Sequence, residues 1–326
     1  MGLEKLKQGC QILAEHCADI KAEEKALIIT NLATKQIGCL LEKVVAETTR
    51  NVKHLTISDF KIHGEEPPAI VALAMLESDV IFCLTKMSMA HTKARSAASE
   101  KGARYLSLPD YSNEILTSKA LRADFRAITE PAKKLGKLLT AGNRLQISDK
   151  VGNKLECKVF GRKANIAPGW CWGPGTLASP PDAEVNVAVI EEETNGSIII
   201  NGSIPHHRLG ILAQPIVLQI NHGLITKISG DKAEIVNEIF STLGSDKTKV
   251  VAEFGIGLNP RAKLSGRMLE DEGCLGTIHL GVGSNSTIGG LNDVPFHLDF
   301  VAKDLSVKID DLCIIEQGKI LKEFFV

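Results

Sequence analysis

The chain has 326 residues, 44% of them hydrophobic, which is ample for a sizeable core and suggests about two domains. Its 38 Lys and Arg offset 39 Asp and Glu, leaving a net charge of −1 and a pI near 6.8, so the composition carries no electrostatic footprint for nucleic acid or an anionic membrane. Aromatics at 4% are too sparse for a base-stacking platform.

The first segment, MGLEKLKQG, is charged and lacks the apolar run of a secretory signal. No stretch approaches the roughly 18 apolar residues of a membrane span. The eight cysteines form no C-x-x-C pair and lie scattered through apolar runs, as reduced cytoplasmic cysteines do. LEKLKQGCQILAEHC has helical spacing, KALIITN reads as a strand, TKQIGCLLEKVVAETTR as a helix and VKHLTISD as a strand. PAIVALAMLE, DVIFCLT, AHTKARSAASEKG and ARYLSLPD continue the alternation, and a long amphipathic helix is expected over about 113–140. Short strands alternating with longer helices predict βαβ units on a parallel sheet, an α/β domain over 1–140. The first strand ends in ITNLATKQ, without the glycines of a dinucleotide-binding turn.

From 141 to 326 strand patterns dominate: RLQISD, KLECKVFG, GSIIINGS, PIVLQINHG, VVAEFGIG, TIHLGVG, LSVKID and GKILKEFFV. Gly, Asn and Asp mark the turns, and one helix is expected near KAEIVNEIFSTLG. This predicts a second, β-rich α+β domain.

Polar residues interrupt these strands in unusual places. Glu253 breaks an apolar strand that runs into a glycine-rich corner, where an unpaired acid costs several kcal/mol. His279 sits between Ile278 and Leu280, with Glu272 upstream. In VPFHLDFVAK, alternation puts Phe296, Leu298 and Phe300 on one face and His297 with Asp299 on the other. Glu184 stands between a Pro-rich turn and an alternating strand. Glu191, Glu192 and Glu193 read as a solvated turn, His222 as a hairpin residue, and His16, His54 and His63 as structural. His91 opens a helix beside Thr92 and Arg95 and is a candidate substrate contact, as is His206 in the HH pair. Two histidines and several carboxylates without a thiolate are the donor types of a divalent metal site, either a two-metal hydrolytic centre or a single ferrous ion on His279, His297 and Asp299.

The run AEFGIGLNPRAKLSGRMLEDEGCLGTIHLGVGSNSTIGGLNDVPFHLDFV resembles the metal-binding half of the aminopeptidase T and aminopeptidase S type metallopeptidases. The likeness extends upstream through SPPDAEVNVAVIEEETNGSIIINGSIP and, more loosely, into the α/β part. The resemblance implies metal ligation by Glu184, Glu253, Glu272, His279, His297 and Asp299, with zinc, cobalt, manganese or iron as the ion. It implies a homodimer and water activation against an N-terminal peptide bond, with Glu184 or Glu253 as base or bridging ligand. The same superfamily includes 2,5-dihydroxypyridine dioxygenase, which is similar in its histidine, histidine, aspartate set but binds one ferrous ion and opens an aromatic ring. The tyrosine that the peptidases carry soon after the first histidine is missing, since GVGSNSTIGG stands there. A metallo-aminopeptidase-like hydrolase on a small peptide is therefore the first expectation, a ring-cleaving dioxygenase on a small molecule the second, and a non-catalytic protein with a vestigial site the third.

Overall fold

A computed structural model of the chain describes residues 2–325. It divides into two units, the first running to Arg126 and resuming over Gly169–Pro181, the second comprising Ala127–Pro168 and everything from Asp182 onward. The partition drawn from sequence at 140/141 differs on both counts. The helix Phe125–Ala141 falls almost wholly in the second unit, where Gly136 packs against Ile166. Gly169–Pro181 falls in the first, because its strand Leu177–Ala178 pairs with Arg104–Ser107.

The first unit is built on a five-stranded parallel sheet. Its order is Val52–Thr56, Ala26–Thr30, Val80–Leu84, Arg104–Ser107 and Leu177–Ala178. ALIIT and VIFCL are buried throughout, as strands covered on both faces must be. The helices Leu3–Gln11, Lys35–Val45, Ala69–Leu76 and Lys93–Glu100 follow the expected alternation.

The long helix expected over 113–140 is broken into Asn113–Leu116, a short 3-10 turn Ala120–Arg122, and Phe125–Ala141. The Thr117 hydroxyl bonds back to the Asn113 carbonyl at 2.8 Å. The Arg122 guanidinium donates to the Thr117 and Ser118 carbonyls at 3.0 and 2.8 Å. Side chains thus take the groups that a continuing helix would use.

The second unit holds two antiparallel sheets of eight and seven strands. The helix Ala233–Leu243 is the one expected from KAEIVNEIFSTLG. GKILKEFFV forms only the short strand Lys319–Ile320 and a helical turn Lys322–Phe325, with Val326 outside the described residues. The seven-stranded sheet runs Gly210–Ile211, Ser203–Ile204, His297–Ala302, Ile278–Gly283, Val251–Gly257, Glu184–Ala188 and Asn165–Ala167. Its central strands turn Val185, Val187, Phe254, Ile256, Leu280, Val282, Leu298 and Phe300 to one buried face. That face leaves the opposite one free for chemistry.

No helix among the described residues is long and apolar enough to cross a membrane.

Candidate metal centre

The polar breaks in the four central strands fall in register. Alternation places Glu184 and Asn186, Glu253, His279, and His297 with Asp299 on the same face of the sheet. Each of the five ionisable ones has a glycine as cross-strand neighbour. Glu184 faces Gly257, His279 faces Gly255, Glu253 and Asp299 both face Gly281, and His297 faces Gly283. A Cβ on Gly255 would fall onto the His279 ring. A Cβ on Gly281 would lie 2.6 and 2.8 Å from His297 Cε1 and Nε2 and 2.8 Å from Glu253 Cβ. These glycines are the space that the functional side chains occupy.

The packed side chains touch one another closely. Glu184 Oε2 lies 3.1 Å from His279 Nε2 without hydrogen-bond alignment, and Glu253 Oε1 lies 3.9 Å from the same nitrogen. The other Glu253 oxygen is 3.5 Å from His297 Nε2, which is 3.2 Å from Asp299 Oδ1. His297 Nδ1 donates to the Ser284 carbonyl at 2.8 Å, and this turns Nε2 towards the carboxylates. Asn186 Nδ2 donates to Glu184 Oε1 at 2.6 Å.

Asp182 joins this set, and sequence reasoning missed it. Ligand atoms of Asp182, Glu184 and Glu272 lie within 4.8 Å of one another, as do those of Glu184, Glu253 and His279. Asp182 sits in the turn ahead of its strand, so no polar break in an apolar run marked it. The two-residue spacing to Glu184 was the available signal. Asn186 was missed too, because an amide in an alternating strand looks like an outward-facing residue.

Burial sets the protonation of the cluster. Asp182, Glu184, Glu253 and Asp299 are at most 7% exposed. Burial, then the charge of Glu184, raises the Asp182 carboxyl well above its ordinary value. Burial raises Glu253 against the opposing pull of His279 and His297. Burial and the charges of Asp299 and Glu184 push Glu272 far up. Burial opposes charge on the histidines, but Glu184 overrides it at His279, and Asp299 with Glu253 lifts His297 to about 10. Asp299 falls to about 2 because His297 outweighs its burial.

Five carboxylates thus meet two imidazoles, and the ion pairs of these carboxylates among the described residues are all with those two rings. Asp182 Oδ1, Glu184 Oε2, Glu272 Oε1 and His279 Nδ1 are buried without a hydrogen-bond partner. Each such atom costs about 1–3 kcal/mol unless something satisfies it. Oxygen and nitrogen donors with more carboxyl groups than imidazoles and no thiolate fit a divalent cation.

The remaining candidates stand elsewhere. His206 lies in the second unit between the strands Ser203–Ile204 and Gly210–Ile211, stacked on His207 with ring centroids 4.2 Å apart, and its Nδ1 accepts from the Arg208 amide. It belongs to neither donor group of that unit. His91 is exposed in the first unit, just ahead of the helix Lys93–Glu100. Glu191 is not the solvated turn residue it resembles. Its carboxylate binds Arg162 at 2.6 Å and accepts from Asn285 Nδ2 at 2.9 Å, bracing the loop between the His279 and His297 strands.

Comparison with known proteins fits this architecture. A protein-family model described as NicX, 2,5-dihydroxypyridine 5,6-dioxygenase, matches residues 4–322. A 2,5-dihydroxypyridine 5,6-dioxygenase of Pseudomonas putida is 23% identical over 195 residues. That alignment covers 56% of this chain and 56% of the relative, so the match spans little more than half of the relative's length. The solved 2,5-dihydroxypyridine dioxygenase of Pseudomonas putida superposes over 100% of both chains with a TM-score of 0.87 at 17% identity. AmpT from Thermus thermophilus superposes over 98% of this chain and 99% of its own with a TM-score of 0.69 at 12% identity. The expected membership of the peptidase family is thereby narrowed to a likeness of fold. With a match running almost from end to end, the chain belongs to the 2,5-dihydroxypyridine 5,6-dioxygenase family.

Proposed function

We propose that the chain is a metal-dependent dioxygenase that opens the ring of a hydroxylated, pyridine-like substrate. The observation that carries this reading is the placement of His279, His297 and Asp299 on one sheet face of a chain matched to the dioxygenase family over residues 4–322. Two imidazoles and one carboxylate are the donor set of non-haem ferrous oxygenases. Such an ion, when bound, supplies the redox chemistry that lets dioxygen react with an electron-rich ring.

The chain's own residues do the rest. Gly255 and the neighbouring strands fix the His279 ring, and the Ser284 carbonyl fixes the tautomer of His297. His297 keeps 35% of its side chain exposed and stands at the rim, where a substrate arrives, while His279 is 1% exposed at the floor. Glu253 lies between the two rings, where its carboxylate is placed to take the proton of a substrate hydroxyl. Asn186 holds Glu184 in place through its amide.

A second reading rests on a different observation. The two carboxylate-rich donor groups share Glu184. A shared carboxylate is how two ions about 3.5–4 Å apart are bridged in hydrolytic centres. This keeps a metallo-hydrolase acting on aminoacyl substrates as the alternative.

One experiment separates the two. Protein loaded anaerobically with Fe(II) is mixed with 2,5-dihydroxypyridine and oxygen uptake is followed, with elemental analysis of the same sample. Uptake with one iron per chain, lost at least about 100-fold in H279A and H297A, is the expected result. Folded, iron-loaded protein that consumes no oxygen, but hydrolyses aminoacyl substrates once loaded with zinc, cobalt or manganese, would establish the alternative instead.

A further inference from the structure

The first unit carries a donor cluster of its own, unrelated to the sheet just described. Cys39 and Glu42 lie on one face of the helix Lys35–Val45, and His54 comes from the edge strand Val52–Thr56. A cysteine sulfur, a carboxylate oxygen and a ring nitrogen from these residues lie within 4.8 Å of one another. His54 Nδ1 is 2.9 Å from Glu42 Oε2.

The His54 ring is held from three sides. Its Nε2 is 3.0 Å from the Thr30 hydroxyl, which is 3.3 Å from the Thr56 hydroxyl. Gly38 lies beneath the ring, where a Cβ would come within 2.9 Å of Nε2 and 3.1 Å of Cε1. A larger residue at position 38 would displace the imidazole. The side chain of His54 is 9% exposed, whereas that of Glu42 is 42% exposed, so the cluster is seated at the back and open at the front.

This geometry has the form of a ligand with its outer support. A ring whose Nε2–H donates to a hydroxyl turns the lone pair of Nδ1 outward. In the metal-free chain Nδ1–H donates to Glu42 Oε2 and Nε2 accepts from the Thr30 hydroxyl; moving the ring proton to Nε2, where the Thr30 oxygen can accept it, frees the Nδ1 lone pair beside the carboxylate and the thiol. We propose that Cys39, Glu42 and His54 bind a borderline-soft divalent cation of the zinc class, through Sγ, a carboxylate oxygen and Nδ1, with water in the fourth position. Thiolate with imidazole selects such ions over magnesium or calcium. Two anionic donors balance the ion's charge, and the thiol proton passes to solvent as the ion binds. Three protein ligands and one open position is the arrangement of a zinc site that can accept an external ligand.

The simpler alternative is a bare His54–Glu42 hydrogen bond with Cys39 nearby, and cobalt substitution tells the two apart. Chelator-treated protein is titrated with Co2+ and watched for the thiolate-to-cobalt charge-transfer band in the near ultraviolet. The band should appear in the wild-type chain and in the H279A/H297A variant, and vanish in C39S with the loss of one equivalent of bound metal. E42Q should keep the band and bind the ion more weakly. Zn2+ should also shield Cys39 from alkylation, read by peptide mapping in the unaltered chain. A wild-type protein with no band, a band that survives in C39S, or alkylation of Cys39 at the same rate with and without Zn2+ would each overturn the proposal.

Discussion

Gly255 shows how much of the metal centre depends on atoms that are missing from a side chain. It gives His279 room to lie flat against the next strand. Replacing it with alanine forces that ring to move within a buried strand, at a cost of about 1–3 kcal/mol for overpacking. G255A should therefore lower thermal stability modestly and bind less iron than the unaltered chain by elemental analysis after anaerobic loading with Fe(II). Retention of full metal content would show that the His279 position is not fixed in this way. The ligand-type residues were legible one by one, because Glu253, His279 and Asp299 each interrupt an apolar run. The glycines opposite them were visible only as a loose abundance, since cross-strand register is a long-range property. Cys39, Glu42 and His54 were illegible for a related reason: they stand on two successive elements, and spacing in sequence does not show how a helix face meets its neighbouring strand.

Whole elements were easier to read where local chemistry decides them. The turn His222–Gly223, between the strands Ile216–Asn221 and Leu224–Gly230, has φ of 45° and 74° at its two central positions, as a type I′ hairpin requires. The Asn195 side chain accepts from the His222 amide at 2.8 Å, and the Val251 amide donates to the Gly223 carbonyl at 2.8 Å. A Cβ on Gly223 would overlap the Glu191 carbonyl oxygen. G223A should thus destabilise the protein by more than about 1 kcal/mol in urea denaturation, while H222N, which suits the left-handed conformation better, should be neutral or stabilising. Equal midpoints for the two variants would contradict this account of the turn. The helix over 113–140 was misread because its hydrophobic spacing continues through Thr117 and Ser118. Amphipathic periodicity does not register that an arginine side chain ends the first turn by binding its carbonyls.

For the molecule as a whole, the cluster of acids makes stability depend on pH and on metal together. Asp182, Glu253 and Glu272 hold protons in the folded state that the unfolded chain releases above about pH 4, so each weakens the metal-free fold as pH rises. His297 adds stability that is fully present below about pH 6.5 and is lost as pH climbs through about 10. Asp299 adds stability above about pH 4 and loses it only as pH falls through about 2. Metal-free protein should therefore show a denaturation midpoint that falls between about pH 5 and 9, and saturating divalent metal should flatten that slope. A midpoint that rises over this range without metal would refute the assignment. The α/β and β-rich character of the two parts was readable from strand length and spacing, but the return of Gly169–Pro181 to the first unit was not, because a two-residue strand leaves no pattern.

That return has a bearing on synthesis. A chain leaving the ribosome cannot finish its parallel sheet until Leu177–Ala178 has emerged, after a helix and several strands of the other unit have already been made. The carboxylates and imidazoles of the sheet face follow later still, with His297 and Asp299 last among them. A nascent or prematurely released chain thus carries a nearly complete scaffold with no working centre. The donors of that sheet face are therefore assembled only after nearly all of the rest of the chain has been made.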